Sequence, residues 1–551
     1  MGQLLWGTPD TLRALLCELV SWESRTLTAG ERIFPYKVQE KLRELEYFKR
    51  NPEYLSLHEA DLGRNFVNAF YKHPDVKETV VLISHFDTVH TEEYGDLETL
   101  AFKPEELTKK LHDRKDDLPE EARIDLESGK YLFGRGTMDM KMGLALHMAI
   151  IEKASIEQWP INLLLLTVPD EEVNSAGMRA AVKELVTLRD KYDLSYKMFF
   201  NSEPSFSQKP GDNRHYIYSG TLGKIMPAAL FYGKETHVGE PLKGITANYI
   251  ASFLTQLMEW NTLFLESDLG EVTPLPVSLQ QKDLKLQYST QTPYRAAALY
   301  NVFIMKRTAA EIMDLFEQVA SEAAMKCNES YKELCLREQI EGVGEVQVLR
   351  YEKLLSYAEG KFGGSFVAQI KSEVKGNMDM DEREKSVRIA EKLMIQCQEL
   401  SPAIVLLFAP PYYPAVNTSD DPLIMESVKL MKETASMLDE EVSQIHYFNG
   451  LCDLSYVQYS DESDGWTAFE KNTPVWGDTY SIPFADMQKL QAPVLNVGPF
   501  GKDAHQRTER LHIDSAFVHT PVMLEKLIKG CSSVWLRSDG GDLSLPTGKL
   551  D

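Results

Sequence analysis

The chain has 551 residues, 43% hydrophobic and 26% charged, well beyond the roughly 100–200 residues of an average domain, so two or more packed units are expected. Its 83 acidic against 59 basic residues give a formal net charge of −24; such a surface repels phosphate backbones and anionic membranes, so neither nucleic acid nor a membrane is an expected partner. Small substrates stay open, because a local pocket can carry a field opposite to the global one.

The first 24 residues lack a basic segment followed by an apolar core and a small-residue cleavage site, and read instead as an amphipathic helix opening after Thr8, Pro9 and Asp10. ETVVLIS (78–84) reads as a buried strand. The stretch 109–130, rich in both charges and poor in apolar residues, reads as a solvated surface excursion. A helix across 139–153, a strand at INLLLLT (161–167), a helix across 175–190 and a strand at YKMFF (196–200) follow. No apolar run approaches the roughly 20 residues that span a bilayer. This βαβ rhythm implies an α/β fold, a mixed and mostly parallel sheet with helices on both faces.

The texture then changes. A hairpin over 215–232, a helix at 247–260, a strand at 296–305 and a helix at 309–327 suggest an inserted α+β, ferredoxin-like domain, followed by a charged helical stretch at 350–400. The first rhythm returns with a strand at 403–408, a helix at 422–438, a strand at 492–497 and a helix at 521–536. Residues 1–212 and 401–551 are therefore expected to form one split catalytic domain and 213–400 the insertion, with a loose tail at 538–551. The six cysteines form no CxxC pair, which fits a reducing, cytoplasmic compartment.

Carboxylates and histidines cluster where the apolar runs end. His85 and Asp87 follow ETVVLIS, Asp170, Glu171 and Glu172 follow INLLLLT, Glu203 follows YKMFF, and His505 follows APVLNV and a glycine turn. In an open α/β sheet the crevice outside the carboxyl ends of the strands binds ligands, so these segments should converge. GRGTMDMKMGLA (134–145) adds Asp139 at the expected opening of a helix, where an aspartate also serves as a simple cap. So many carboxylates in one crevice repel one another unless cations neutralise them. Two histidines with several carboxylate oxygens suit zinc, and also manganese or cobalt. His512 is the rival to His505, but only His505 directly follows the strand and turn.

HFD (85–87), GRGTMD (134–139), PDEE (169–172), SEP (202–204) and GKDAH (501–505), in that order, resemble the M20 family of metallopeptidases and amidohydrolases. The resemblance implies a zinc-exopeptidase-like catalytic domain with an inserted lid or dimerisation domain, and a homodimer. It implies two divalent ions, one on His85 and Glu203, the other on Glu172 and His505, with Asp139 bridging both. Asp87 would accept the far ring N–H of His85, and Glu171 would be the general base. His237, in YGKETHVGEPLKGITAN (232–248), resembles the family's oxyanion-stabilising histidine, which often crosses into the partner subunit's site, and Asn248 a substrate contact. Arg307 resembles an arginine that binds a substrate carboxylate. Asn449, Gly450 and Asp453 in FNGLCDLSYV (448–457) resemble a glycine-rich loop near the substrate.

The implied reaction is cleavage of an amide bond in an N-acyl amino acid or short peptide. PPYYP (410–414) and NGLCDLSYV (449–457) look most like the arginine-utilisation proteins of bacilli, which suggests arginine or ornithine catabolism. Material near 98–130, 330–400 and 455–490 is added to the family pattern. Two alternatives are an inactive metal-binding or scaffold protein on the same fold, against which the retained Glu171 argues, and a two-metal phosphoesterase, against which the GRGTMD and PDEE wording argues.

Overall fold

The computed structural model describes residues 4–538 apart from 210, 213, 378 and 461–464, with side chains to residue 530; the tail beyond 538 lies outside these residues. The chain divides into two compact units. One comprises the described parts of Met1–Thr221, Val416–Gln458 and Ala485–Asp551; the other comprises Leu222–Ala415 and Tyr459–Phe484.

The first unit is built on an eight-stranded sheet in the order Leu55–Glu59, Asn65–Tyr71, Asn162–Val168, Glu78–His85, Ser195–Asn201, Val494–Asn496, His215–Tyr218, Val442–Ile445. Its central four strands are parallel, and antiparallel pairings flank them. Every residue of Asn162–Val168 is buried, which requires cover on both faces, and the helices Met142–Glu157 and Ala176–Tyr192 both pack on this strand. That is why the central strands read as unbroken apolar runs rather than as alternating ones. The N-terminal helix Pro9–Ser21 opens on a capping box between Thr8 and Thr11 and buries Leu12, Leu15, Leu16 and Leu19.

The stretch 109–130 is largely exposed, as expected, but two helices anchor it. Helix Pro104–His112 buries Leu107 and Leu111, and helix Glu120–Ser128 buries Ala122 and Leu126. Both pairs have i,i+4 spacing, so a narrow apolar stripe anchors each helix despite its charge. Asp139 does not open a helix: it sits in a π turn, Thr137–Lys141, with extended backbone (φ −117°, ψ 100°), and the helix begins at Met142.

The second unit carries a five-stranded sheet in the order Val277–Asp283, Arg295–Ile304, Gly223–Tyr232, Ala403–Tyr413, Gln347–Arg350. Two of the expected assignments change here. The hairpin over 215–232 does not exist, because His215–Tyr218 pairs in the first unit's sheet while Gly223–Tyr232 pairs with Arg295–Ile304 and Ala403–Tyr413. The strand expected at 403–408 belongs to the insertion, where its antiparallel ladder with Gly223–Tyr232 starts at Ala403↔Tyr232. The chain crosses between the units beside Gly220, where a Cβ would stand 2.3 Å from the Val416 carbonyl oxygen, so glycine alone allows that approach. The charged stretch 350–400 is helical, as Tyr351–Phe362, Gly364–Lys375 and Glu382–Gln396. Among the described residues, no helix is long and apolar enough to cross a membrane.

Candidate metal centre

The parallel strands of the first unit end side by side. His85 closes its strand opposite Val168, and Ile83 lies opposite Asn201, which in turn faces Asn496. The residues just past these ends, Asp170 to Glu172 and Glu203, therefore emerge at one edge. His505 comes from the loop between Gly501–Lys502 and Arg510–His512. Gly136 turns the chain into the segment carrying Asp139; its φ is 73°, and a Cβ there would stand 2.9 Å from Thr88 Cγ2.

Asp139 lies at the middle of the cluster. Its Oδ1 is 3.1 Å from His85 Nε2, and its Oδ2 is 3.0 Å from His505 Nε2. Glu172 Oε2 stands 3.0 Å from the same His505 nitrogen, and Glu203 Oε1 stands 3.6 Å from His85 Nε2. Two overlapping triads result, His85, Asp139 and Glu203, and Asp139, Glu172 and His505, each with donor atoms within 4.8 Å of one another. Glu171 Oε2 lies 3.9 Å from His85 Nε2, and belongs to neither triad. His512 stands apart from both: its Nδ1 accepts the N–H of Ser515 at 3.2 Å, and its ring meets Tyr131 edge-on.

Electrostatically the cluster calls for positive charge. Burial holds the Glu203 and Glu171 carboxyl groups well above the usual carboxylate range, with His85 opposing it and neighbouring carboxylates adding to it. Burial would also raise Asp139, but the hydrogen bonds to His505 and His85 hold it far below its ordinary value. Burial disfavours a charge on His505, yet Asp139 and Glu172 push its pKa up to about 11. Glu203 Oε1 is buried with no hydrogen-bond partner among the described residues, an arrangement that costs stability unless a cation completes it. A mixed imidazole and carboxylate donor set with such an orphaned oxygen fits a pair of divalent ions of the zinc, manganese or cobalt type.

Behind the triads, Asp87 stands beside His85 and also braces the neighbouring turn. His85 Nδ1 lies 3.1 Å from the backbone carbonyl oxygen of Asp87 and 3.5 Å from its carboxylate. A carbonyl only accepts, so Nδ1 carries the proton and Nε2 faces the carboxylates. The Asp87 carboxylate also accepts the backbone N–H groups of Glu171 at 3.1 Å and Glu172 at 3.3 Å, together with the Thr26 hydroxyl at 2.9 Å. It fixes the turn that presents both glutamates.

A second support is absent from the sequence reading. Arg64 is buried, with Nη1 2.5 Å from Asp170 Oδ1 and 3.3 Å from Glu31 Oε1. Asp170 has φ 69° and accepts the N–H of Ala176 at 3.1 Å, so this ion triad holds the start of the loop bearing Glu171 and Glu172. Burial pushes Glu31 to about 8 and Asp170 to about 6, with Arg64 opposing both shifts. Glu31 and Arg64 lie in ordinary surroundings, a charged helix and a turn, and carry no motif that could have marked them. His147, by contrast, is a packed residue, with Nε2 3.0 Å from Ser202 Oγ and a pKa drawn down to about 3 by burial.

The substrate-side residues fall in two places. Asp453 is buried in the short turn Asp453–Tyr456, which packs on the strand Glu78–His85, and burial pushes its pKa to about 7 against the pull of His85. Asn449 and Gly450 are exposed a few residues earlier. His237, Asn248 and Arg307 belong to the second unit. His237 is exposed and accepts the N–H of Gly239 at Nδ1, 3.0 Å away; Asn248 is exposed in the first turn of Ala247–Met258. Arg307 donates from Nη1 to the Leu263 carbonyl at 3.0 Å, so part of its guanidinium braces a turn.

Residues 81–529 match the family described as Peptidase family M20/M25/M40. The uncharacterized protein YqjN of Bacillus subtilis (strain 168) is 41% identical over 528 residues, 94% of this chain and 96% of that protein. Protein RocB of the same organism is 30% identical over 535 residues, 94% of each chain. A tripeptidase of Staphylococcus aureus shares the fold, with a TM-score of 0.53 and 14% identity across 97% of this chain and 100% of its own. The chain belongs to peptidase family M20/M25/M40, and is a metal-dependent hydrolase of amide bonds.

Proposed function

We propose that the chain holds two divalent ions, zinc by preference, on His85, Asp139 and Glu203 and on Asp139, Glu172 and His505, and cleaves an N-acyl amino acid or a short peptide. The observation that carries this reading is the Asp139 carboxylate, which offers one oxygen to each histidine at 3.1 and 3.0 Å. When bound, such ions supply Lewis acidity toward a carbonyl oxygen and neutralise the carboxylates around them. Glu171, which neither triad includes, takes the proton of the attacking water and returns it to the leaving amine. Asp87 and the Arg64, Asp170 and Glu31 triad keep Glu171 and Glu172 aimed. By the family resemblance, His237 is the oxyanion donor, within its own chain or in a homodimer partner, and Asn248 and Arg307 are substrate contacts. Asn449, Gly450 and Asp453 shape its pocket.

The resemblance of 410–414 and 449–457 to the arginine-utilisation proteins of bacilli supports a substrate derived from arginine or ornithine, handled in the cytoplasm. The test is a panel of N-acyl amino acids, dipeptides and phosphoesters with zinc, manganese or cobalt. Metal-dependent, chelator-sensitive amide hydrolysis is expected, fastest on arginine or ornithine derivatives. Turnover restricted to phosphoesters, or none across the panel, would contradict the reading.

A further inference from the structure

The loop that carries His505 is bracketed by two buried cations, Lys502 before it and Arg510 after it, and one carboxylate holds both. Asp125 Oδ2 accepts Arg510 Nε at 2.8 Å and Lys502 Nζ at 3.0 Å. The Tyr131 ring lies beside the same two cations, 5.4 and 5.8 Å from its centroid, so little water reaches them. Glu121 Oε1 adds a contact to Lys502 at 2.9 Å from the exposed side, and Asp503 adds one to Arg510.

Asp125 and Glu121 both lie on the helix Glu120–Ser128, within the stretch that adds to the family pattern. The same stretch reaches the loop a third time, through the Asp117 carbonyl, which accepts Arg507 Nη2 at 2.8 Å. Inside the loop, Asp503 and His505 both adopt left-handed backbone, with φ of 58° and 63°. Asp503 Oδ2 accepts the Thr508 hydroxyl at 2.7 Å. Non-glycine residues hold such backbone only where the surroundings over-determine it. The surroundings here are the two cations tied to Asp125.

We propose that Asp125 is a positioning residue for the ion held by Asp139, Glu172 and His505: through Lys502 and Arg510 it fixes the loop that aims the His505 ring, and so sets the affinity of that site. The added helices are thus a clamp on the metal centre. The inference rests on the two-ion reading of the site, and it leaves the triad of His85, Asp139 and Glu203 untouched, since all three come from other segments.

The test titrates metal-free wild type and Asp125→Asn with cobalt or zinc against a chromophoric chelator, with elemental analysis after gel filtration. Wild type should bind two ions. Asp125→Asn should keep one at wild-type affinity and bind the second at least about tenfold more weakly, the scale on which partners behind a metal ligand act. Its amide hydrolysis should return at high metal concentration. Glu127→Gln, on the same helix and paired with Lys115 at the surface, should bind both ions as wild type does.

Should Asp125→Asn fail to fold, Asp125→Asn combined with Lys502→Gln removes one cation together with the anion, and the same selective loss is expected. Two ions at unchanged affinity in a folded variant, or an equal loss of both, overturns the proposal. Absence of bound metal from wild type overturns the two-ion reading itself, a result distinguishable from either.

Discussion

Glu171→Gln should leave both ions in place and lower kcat by roughly two to four orders of magnitude, the usual contribution of a positioned proton-transfer group. Glutamine keeps the shape and can still accept or donate a hydrogen bond, but it cannot take a proton from water. Both triads are complete without Glu171, so metal content should not move. Its backbone N–H, held by Asp87 Oδ1 at 3.1 Å, is common to both side chains, so the turn should also persist. Steady-state kinetics with elemental analysis reads both quantities; a loss carried by KM alone would instead assign Glu171 to binding. Undiminished turnover would remove it from proton transfer.

Asp139→Ala should act on both sites together. Each triad would fall to two protein donors, while His85→Ala or His505→Ala would each strip only one triad. The expected result is less than one ion per chain at metal concentrations that saturate wild type, with amide hydrolysis below detection. Equilibrium dialysis against zinc or cobalt measures this directly. Retention of two ions by Asp139→Ala would show that its carboxylate merely accepts hydrogen bonds from the two imidazoles.

The sequence was most readable where chemistry and burial coincide. The strands Glu78–His85 and Asn162–Val168 are buried along nearly all their length, so they appear as apolar runs, and the charged residues that end each run are the ones the fold gathers around Asp139. Pairing partners were less readable. Ala403–Tyr413 has the same apolar texture as the central strands, yet its ladder lies in the other sheet, because composition reports that a strand is buried and not what lies beside it.

The same limit explains the hairpin that was not there, since the run 215–232 holds two good strands that separate at Gly220. In 109–130 an average over many charges concealed the buried anchors Leu111, Ala122 and Leu126. The Arg64 triad was invisible for another reason: Glu31, Arg64 and Asp170 are far apart in sequence, and a buried ion pair becomes recognisable only once the fold brings its members within 3.3 Å.

Anomalous diffraction at the edge of the bound metal, from crystals of the wild-type protein, tests the shared role of Asp139 most directly. Two peaks are expected, one bounded by His85, Asp139 and Glu203 and the other by Asp139, Glu172 and His505. No peak at these side chains, or a single peak that leaves Asp139 on one side only, would contradict the two-ion centre.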